Sequence, residues 1–143
     1  MDTAVDLKFA DGEYRFWLPW PQVFELERKC GYVGHDGGRR PKSIFQIFNE
    51  MGELSANALD IKETIRLGLI GGNHGLVDGE EIKVGPLTAA QIVEEYVYPA
   101  RPLDEAMQLA ATILHAAIAG VDLKKKAVTE AEANSQNPSE KAQ

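Results

Sequence analysis

Cysteine is all but missing from this chain: Cys30 is the single one in 143 residues. One thiol excludes an internal disulfide framework and cannot by itself build a zinc knuckle. Long apolar runs are missing too. None approaches the roughly 18 to 20 residues that a membrane-spanning helix needs, so no membrane association is expected. A secretory leader is not expected either, because Asp2 and Asp6 stand where a basic stretch would be and no apolar run follows. Nor is there an excess of positive charge. The net charge of −7 repels a phosphate backbone on average, which makes nucleic acid an unexpected partner. These absences point to a reducing cytoplasm, that of a host cell, or to a particle assembled there.

What is present reads as an α+β protein, mainly α. A two-stranded N-terminal β-hairpin precedes about five helices and a disordered C-terminal tail. Residues 1–120 form the expected single domain, and residues 121–143 a flexible charged tail. That tail balances four basic against four acidic residues, so the net −7 sits on the first 120. In the hairpin, Val5, Leu7 and Phe9 alternate with Asp6 and Lys8, and Asp11-Gly12 is the residue pair favoured in a tight turn. With Asp11 and Gly12 as the loop, Phe9 faces Tyr14, Leu7 faces Phe16 and Val5 faces Leu18. Lys8 then falls opposite Arg15, a like-charge mismatch.

The helices follow from apolar spacing and end signals. Trp20-Pro21 opens the first, which presents Val23, Leu26 and Cys30 on one face; Gly31 to Lys42 reads as a mobile, basic loop. Ser43 with Gln46 has the form of a capping box. Ala58, Ile61, Ile65 and Leu69 stripe a helix from about Ser55 to Leu69, which Gly71-Gly72 is expected to end. A loop through Asn73-His74-Gly75 and Asp78-Gly79 leads to Thr88, which with Gln91 suggests a second capping box. The last helix begins at Pro102, and its apolar stripe, widened by Leu109 and Ile113, calls for near-complete burial or a partner.

No constellation for catalysis assembles from these residues. His35-Asp36-Gly37-Gly38-Arg39-Arg40 lacks the strand and the Gly-Lys-Ser/Thr end of a phosphate loop. His35, His74 and His115 have no metal-ligand spacing, and Glu80-Glu81 and Glu94-Glu95 read as solvated charge. We therefore expect no catalytic, cofactor or metal site, and no cofactor. Surplus apolar surface remains: Trp17, Trp20, Phe45, Phe48, Leu109 and Ile113 are the candidate partner-binding residues.

Several stretches, taken in order, carry a resemblance. They are Asp11-Gly12-Glu13-Tyr14, Phe24-Glu25-Leu26-Glu27, the run Asp60-Ile61-Lys62-Glu63-Thr64-Ile65-Arg66-Leu67-Gly68-Leu69-Ile70-Gly71-Gly72, and Pro102-Leu103-Asp104-Glu105-Ala106 continuing to Ala119-Gly120. Over roughly residues 5 to 120 the chain resembles the small tail protein family of gene transfer agents and siphovirus-like prophages. The basic stretch 31–42 departs from that pattern, as does everything from Val121 onward. The resemblance implies a tail assembly chaperone that binds the tape-measure protein, or else a structural minor tail or tail tube component of the virion. Its partners would be the tape-measure protein, the tail tube protein, or further copies of itself in a homo-oligomer.

Overall fold

The computed structural model describes residues 2–122. Alternation of apolar and polar residues gives β1 (Val5–Phe9) and β2 (Gly12–Phe16), which pair antiparallel. Their apolar face is the expected one, with Val5, Tyr14 and Phe16 buried and the Phe9 ring edge-on to Tyr14 and Phe16. The register differs from the sequence expectation by two residues: Phe9 pairs with Gly12, Leu7 with Tyr14 and Val5 with Phe16. Ala10 and Asp11 make the turn, Ala10 at a φ of 58°. The reason lies in Gly12, where a Cβ would sit 2.2 Å from the Leu76 carbonyl oxygen. That glycine admits a neighbouring strand and is not free to serve the turn. The true register also removes the charge mismatch, setting Asp6 against Arg15 and Lys8 against Glu13.

Helix α1 (Trp20–Lys29) has Pro21 in its first turn, as expected. The stretch 31–42 is not a loop throughout. It forms a short hairpin, β3 (Tyr32–Val33) and β4 (Arg39–Arg40), whose turn is held by Asp36 accepting the Gly38 N–H. Helix α2 (Ile44–Gly52) is capped by Ser43, whose hydroxyl accepts the Phe45 N–H, while Gln46 turns away to Glu50.

Helix α3 (Ala58–Gly72) runs through Gly71 and Gly72 and ends at Asn73, which takes the left-handed conformation at φ 47°. The two glycines do not stop the helix; they let it touch β2 and the residues after it backbone to backbone. A Cβ on Gly71 would meet the Trp17 carbonyl at 2.0 Å, and one on Gly72 the Arg15 carbonyl at 1.9 Å. The Asn73-to-Gly79 stretch contains more order than a loop: β5 (Gly75–Val77) and β6 (Glu80–Ile82) form a hairpin whose turn residues, Asp78 and Gly79, both have positive φ. With β1 and β2 they make one antiparallel sheet in the order β1-β2-β5-β6.

Helix α4 (Pro86–Tyr96) starts at Pro86, so Thr88 lies inside it and no side chain caps it. Helix α5 (Leu103–Ala119) carries Asp104 and Glu105 in its first turn, where the helix dipole favours anions. Both α2 and α3 pack on α5, which explains its wide apolar stripe. Helix α3 is the hub and also packs on β2, α1 and α4. The protein is thus α+β and mainly α, with a second and a third hairpin beyond the one expected. Of the C-terminal tail, Val121 bridges to Asp2 and everything after Asp122 lies outside the described residues.

Candidate partner-docking surface

The surface of interest lies where β2, α1, the start of α2 and the end of α5 meet. Leaving β2, the chain places Trp17 on the outer side of the hairpin, where its indole N–H donates to the Thr3 hydroxyl at 2.9 Å. Pro19 and Pro21 then fix the entry into α1, and Trp20 and Phe24, four apart on one helical face, stack with ring centroids 5.4 Å apart. Phe45, in the first turn of α2, faces the same space. Val23, Ile44 and Ile118 complete the floor.

The result is an open apolar groove of about 680 Å³. Its rings are unusually exposed: Trp20 by 74%, Phe45 by 65%, Phe24 by 49% and Trp17 by 38%. The groove's carboxylate, Glu27, is already engaged, accepting the Ile44 N–H at 2.9 Å and so helping to cap α2. An apolar floor with its polar atoms satisfied suits a greasy partner better than a polar metabolite.

The structure brings three of the six residues singled out in the sequence, Trp17, Trp20 and Phe45, into this one groove. The other three lie elsewhere. Phe48 is half-buried against the core, its ring 6.1 Å from that of His115. Leu109 lines a separate small recess beside Lys8, Phe9 and Arg101. Ile113 is 1% exposed and sits in the core, because α5 is covered on two sides by α2 and α3. Sequence reasoning missed Phe24 and Ile118. Phe24 was legible, being four residues from Trp20 on the same helix.

Beneath this surface, charge is buried in quantity. The Lys42 ammonium donates to Asp60 at 2.6 Å and to Glu50 at 2.9 Å. Burial alone pushes that ammonium's pKa down, but the hydrogen bonds to Asp60 and Glu50 outweigh it and hold the value above the ordinary one. Cys30 is buried, and burial, then Asp60, pushes its thiol far above the usual range, so it is no thiolate. Glu63 takes a two-pronged hydrogen bond from Arg66 and lies 3.9 Å from Lys29. Burial opposes ionisation of Glu63, yet Arg66 outweighs it and lowers the pKa.

The histidines do not converge with Cys30. His74 contacts Glu81 just beyond the end of α3, whereas Cys30 lies by Asp60 at its start, and His35 is exposed on the β3–β4 turn. Among the described residues no group of three potential ligands is placed to hold a metal. No helix among them is long and apolar enough to cross a membrane.

The chain thus combines a hairpin-led helical fold with an open aromatic groove. Its family follows from the sequence as a whole: a model of the family described as "Phage tail tube protein, GTA-gp10" matches residues 2–120. The chain belongs to that family, and is therefore a phage or gene-transfer-agent tail protein. No curated protein and no solved structure matches it.

Proposed function

We propose that the protein takes part in building a phage or gene-transfer-agent tail by holding another tail protein in the Trp20 groove. The observation that carries this is that Trp17, Trp20, Phe24 and Phe45 meet in one groove, while Tyr32 and Tyr98 are the remaining exposed aromatic rings among the described residues. Covering one such ring stabilises a complex by about 1.5–3 kcal/mol, and aromatic anchors of this kind dominate interfaces. The family's description supports siting the contact in the tail tube, with the protein a structural part of the virion tail. Quantitative mass spectrometry of purified particles tests this. A fixed stoichiometry to the other tail proteins is expected, and its absence from particles sinks the structural role.

A second reading is favoured by the geometry. Tube subunits close rings through long strands, whereas the longest strand among the described residues has five residues and the end strand β6 has three. A groove that seats one apolar helix face suits an assembly chaperone, which would cover the tape-measure protein in the host cytoplasm until tube subunits replace it. In that case particles contain little or none of the protein. Co-expression then raises tape-measure solubility and co-purifies it, and Trp20→Ser with Phe45→Ser abolishes both. Unchanged tape-measure solubility with no co-purification rejects the chaperone. Neither reading involves nucleic acid, consistent with the net charge of −7.

A further inference from the structure

The two short hairpins outside the groove differ in setting, β3–β4 standing as its own two-stranded sheet and β5–β6 forming the edge of the larger one, but they carry opposite charge in the same pattern. In β3–β4, Tyr32 lies across from Arg40 and Val33 across from Arg39. In β5–β6, Leu76 lies across from Glu81 and Val77 across from Glu80. Each hairpin thus sets two apolar residues beside two like charges, cationic in one and anionic in the other. The charged residues are exposed in both, as are Tyr32, Val33 and Leu76, with Val33 64% exposed. Internal neutralisation is partial: Asp36 pairs with Arg40, and His74 contacts Glu81.

Their positions matter as much as their chemistry. The β3–β4 hairpin leads into Lys42, which is anchored to Asp60 in the first turn of α3. The β5–β6 hairpin begins just past the other end of α3, where Asn73 accepts the Val84 N–H. Fifteen helical residues rising about 1.5 Å each separate the two by roughly 22 Å, so both can be engaged at once. The protein thus carries a cationic hairpin by one end of α3 and an anionic one by the other.

We propose that the cationic β3–β4 hairpin of one copy docks on the anionic β5–β6 hairpin of another, giving self-association. Meeting of like hairpins would set like charges together, so each contact joins unlike hairpins. With the two patches at opposite ends of α3, the contact forms twice over between two antiparallel copies or repeats from copy to copy. Charge steers the encounter and fixes the register, while Tyr32, Val33 and Leu76 supply the area that leaves water.

Sedimentation velocity on the full chain at about 50 mM and about 500 mM salt tests this, since screening shortens the reach of exposed charges from more than 10 Å to a few. Assemblies are expected at low salt and monomer at high salt. R39E/R40E and E80K/E81K each should weaken association at least about tenfold, and the milder R39S/R40S by less. Mixing the two reversed chains, or joining all four reversals in one chain, should restore it, which a misfolded variant does not do. A monomer at low salt overturns the proposal. So does association that survives either reversal, or a mixture no better than its parts. Loss of assembly in Trp20→Ser would move the contact to the groove and overturn it too.

Discussion

The two ends of α3 are fixed by opposite means. At its start, Asp60 is 1% exposed and Lys42 5% exposed, and full charges are taken out of water and matched to one another. At its end, Gly71 and Gly72 contribute no side chain at all, and the helix backbone lies on the carbonyls of Arg15 and Trp17. The first junction depends on a balance of large opposing terms, desolvation against attraction. The second depends on shape alone. A junction made of charge responds to pH and to the loss of one partner, and a junction made of absence responds only to added atoms.

The largest effect is expected from breaking the second kind. Gly72→Ala drives a methyl into the Arg15 carbonyl at 1.9 Å, against backbone that has nowhere to retreat. A loss of about 3 kcal/mol or more in urea unfolding is expected, at or beyond the upper end of ordinary overpacking. A loss below about 1 kcal/mol would show that the junction gives way easily.

Asp60→Ala attacks the first kind by leaving Lys42 buried with only Glu50. A cost of about 3 kcal/mol is expected, near the low end for a broken buried pair because one partner survives. The companion Lys42→Met with Asp60→Leu should recover most of it, which separates the cost of a lost partner from any intrinsic merit of the pair.

Acid sharpens the contrast. Glu50 is held below the ordinary carboxylate value chiefly by its hydrogen bond from Lys42, and Glu63 by Arg66 against its own burial. A carboxylate with a lowered folded pKa stabilises fully above its unfolded value of about 4.3 and loses that as pH falls through the folded one. Urea midpoints should therefore fall as pH drops below about 4.3, and Glu63→Gln should flatten that limb while lowering the neutral midpoint. Gly72→Ala should leave the slope of the limb unchanged.

The smallest effect belongs to the groove. Trp20→Ser removes an exposed ring, so stability should change by no more than about 0.5 kcal/mol. Loss of partner capture without loss of the fold would then assign the ring to binding.

Much of the architecture could be read from periodicity, and what escaped did so for definable reasons. The apolar faces of β1, β2 and α1 follow from local pattern and were legible, whereas on α5 the buried face is set by Ala106, Ala110, Ile113, Leu114 and Ala116 and leaves Leu103 exposed. The hairpin register was not, because the Asp-Gly pair at 11–12 is the usual turn signal while Gly12 is needed by β5, a strand distant in sequence. The misfit of Lys8 against Arg15 already pointed to the correct register, which pairs opposite charges. A second Asp-Gly, at 78–79, does make a tight turn, but its strands are three residues long and too short to alternate visibly. Gly71 and Gly72 have the composition of a helix stop, and only tertiary packing shows that they serve contact. In the groove, Trp20 and Phe45 were legible as surplus aromatics. Ile113 was drawn to the same group because a wide helical stripe has one signature whether neighbours or partners cover it.

The backbone bridge between Asp2 and Val121 brings the two extremities of the described region side by side, on the same rim where Thr3 holds the Trp17 indole. A probe placed at Asp2 or at Asp122 therefore sits at one spot beside the aromatic rings. A photo-crosslinking residue at either position would sample whatever molecule settles there.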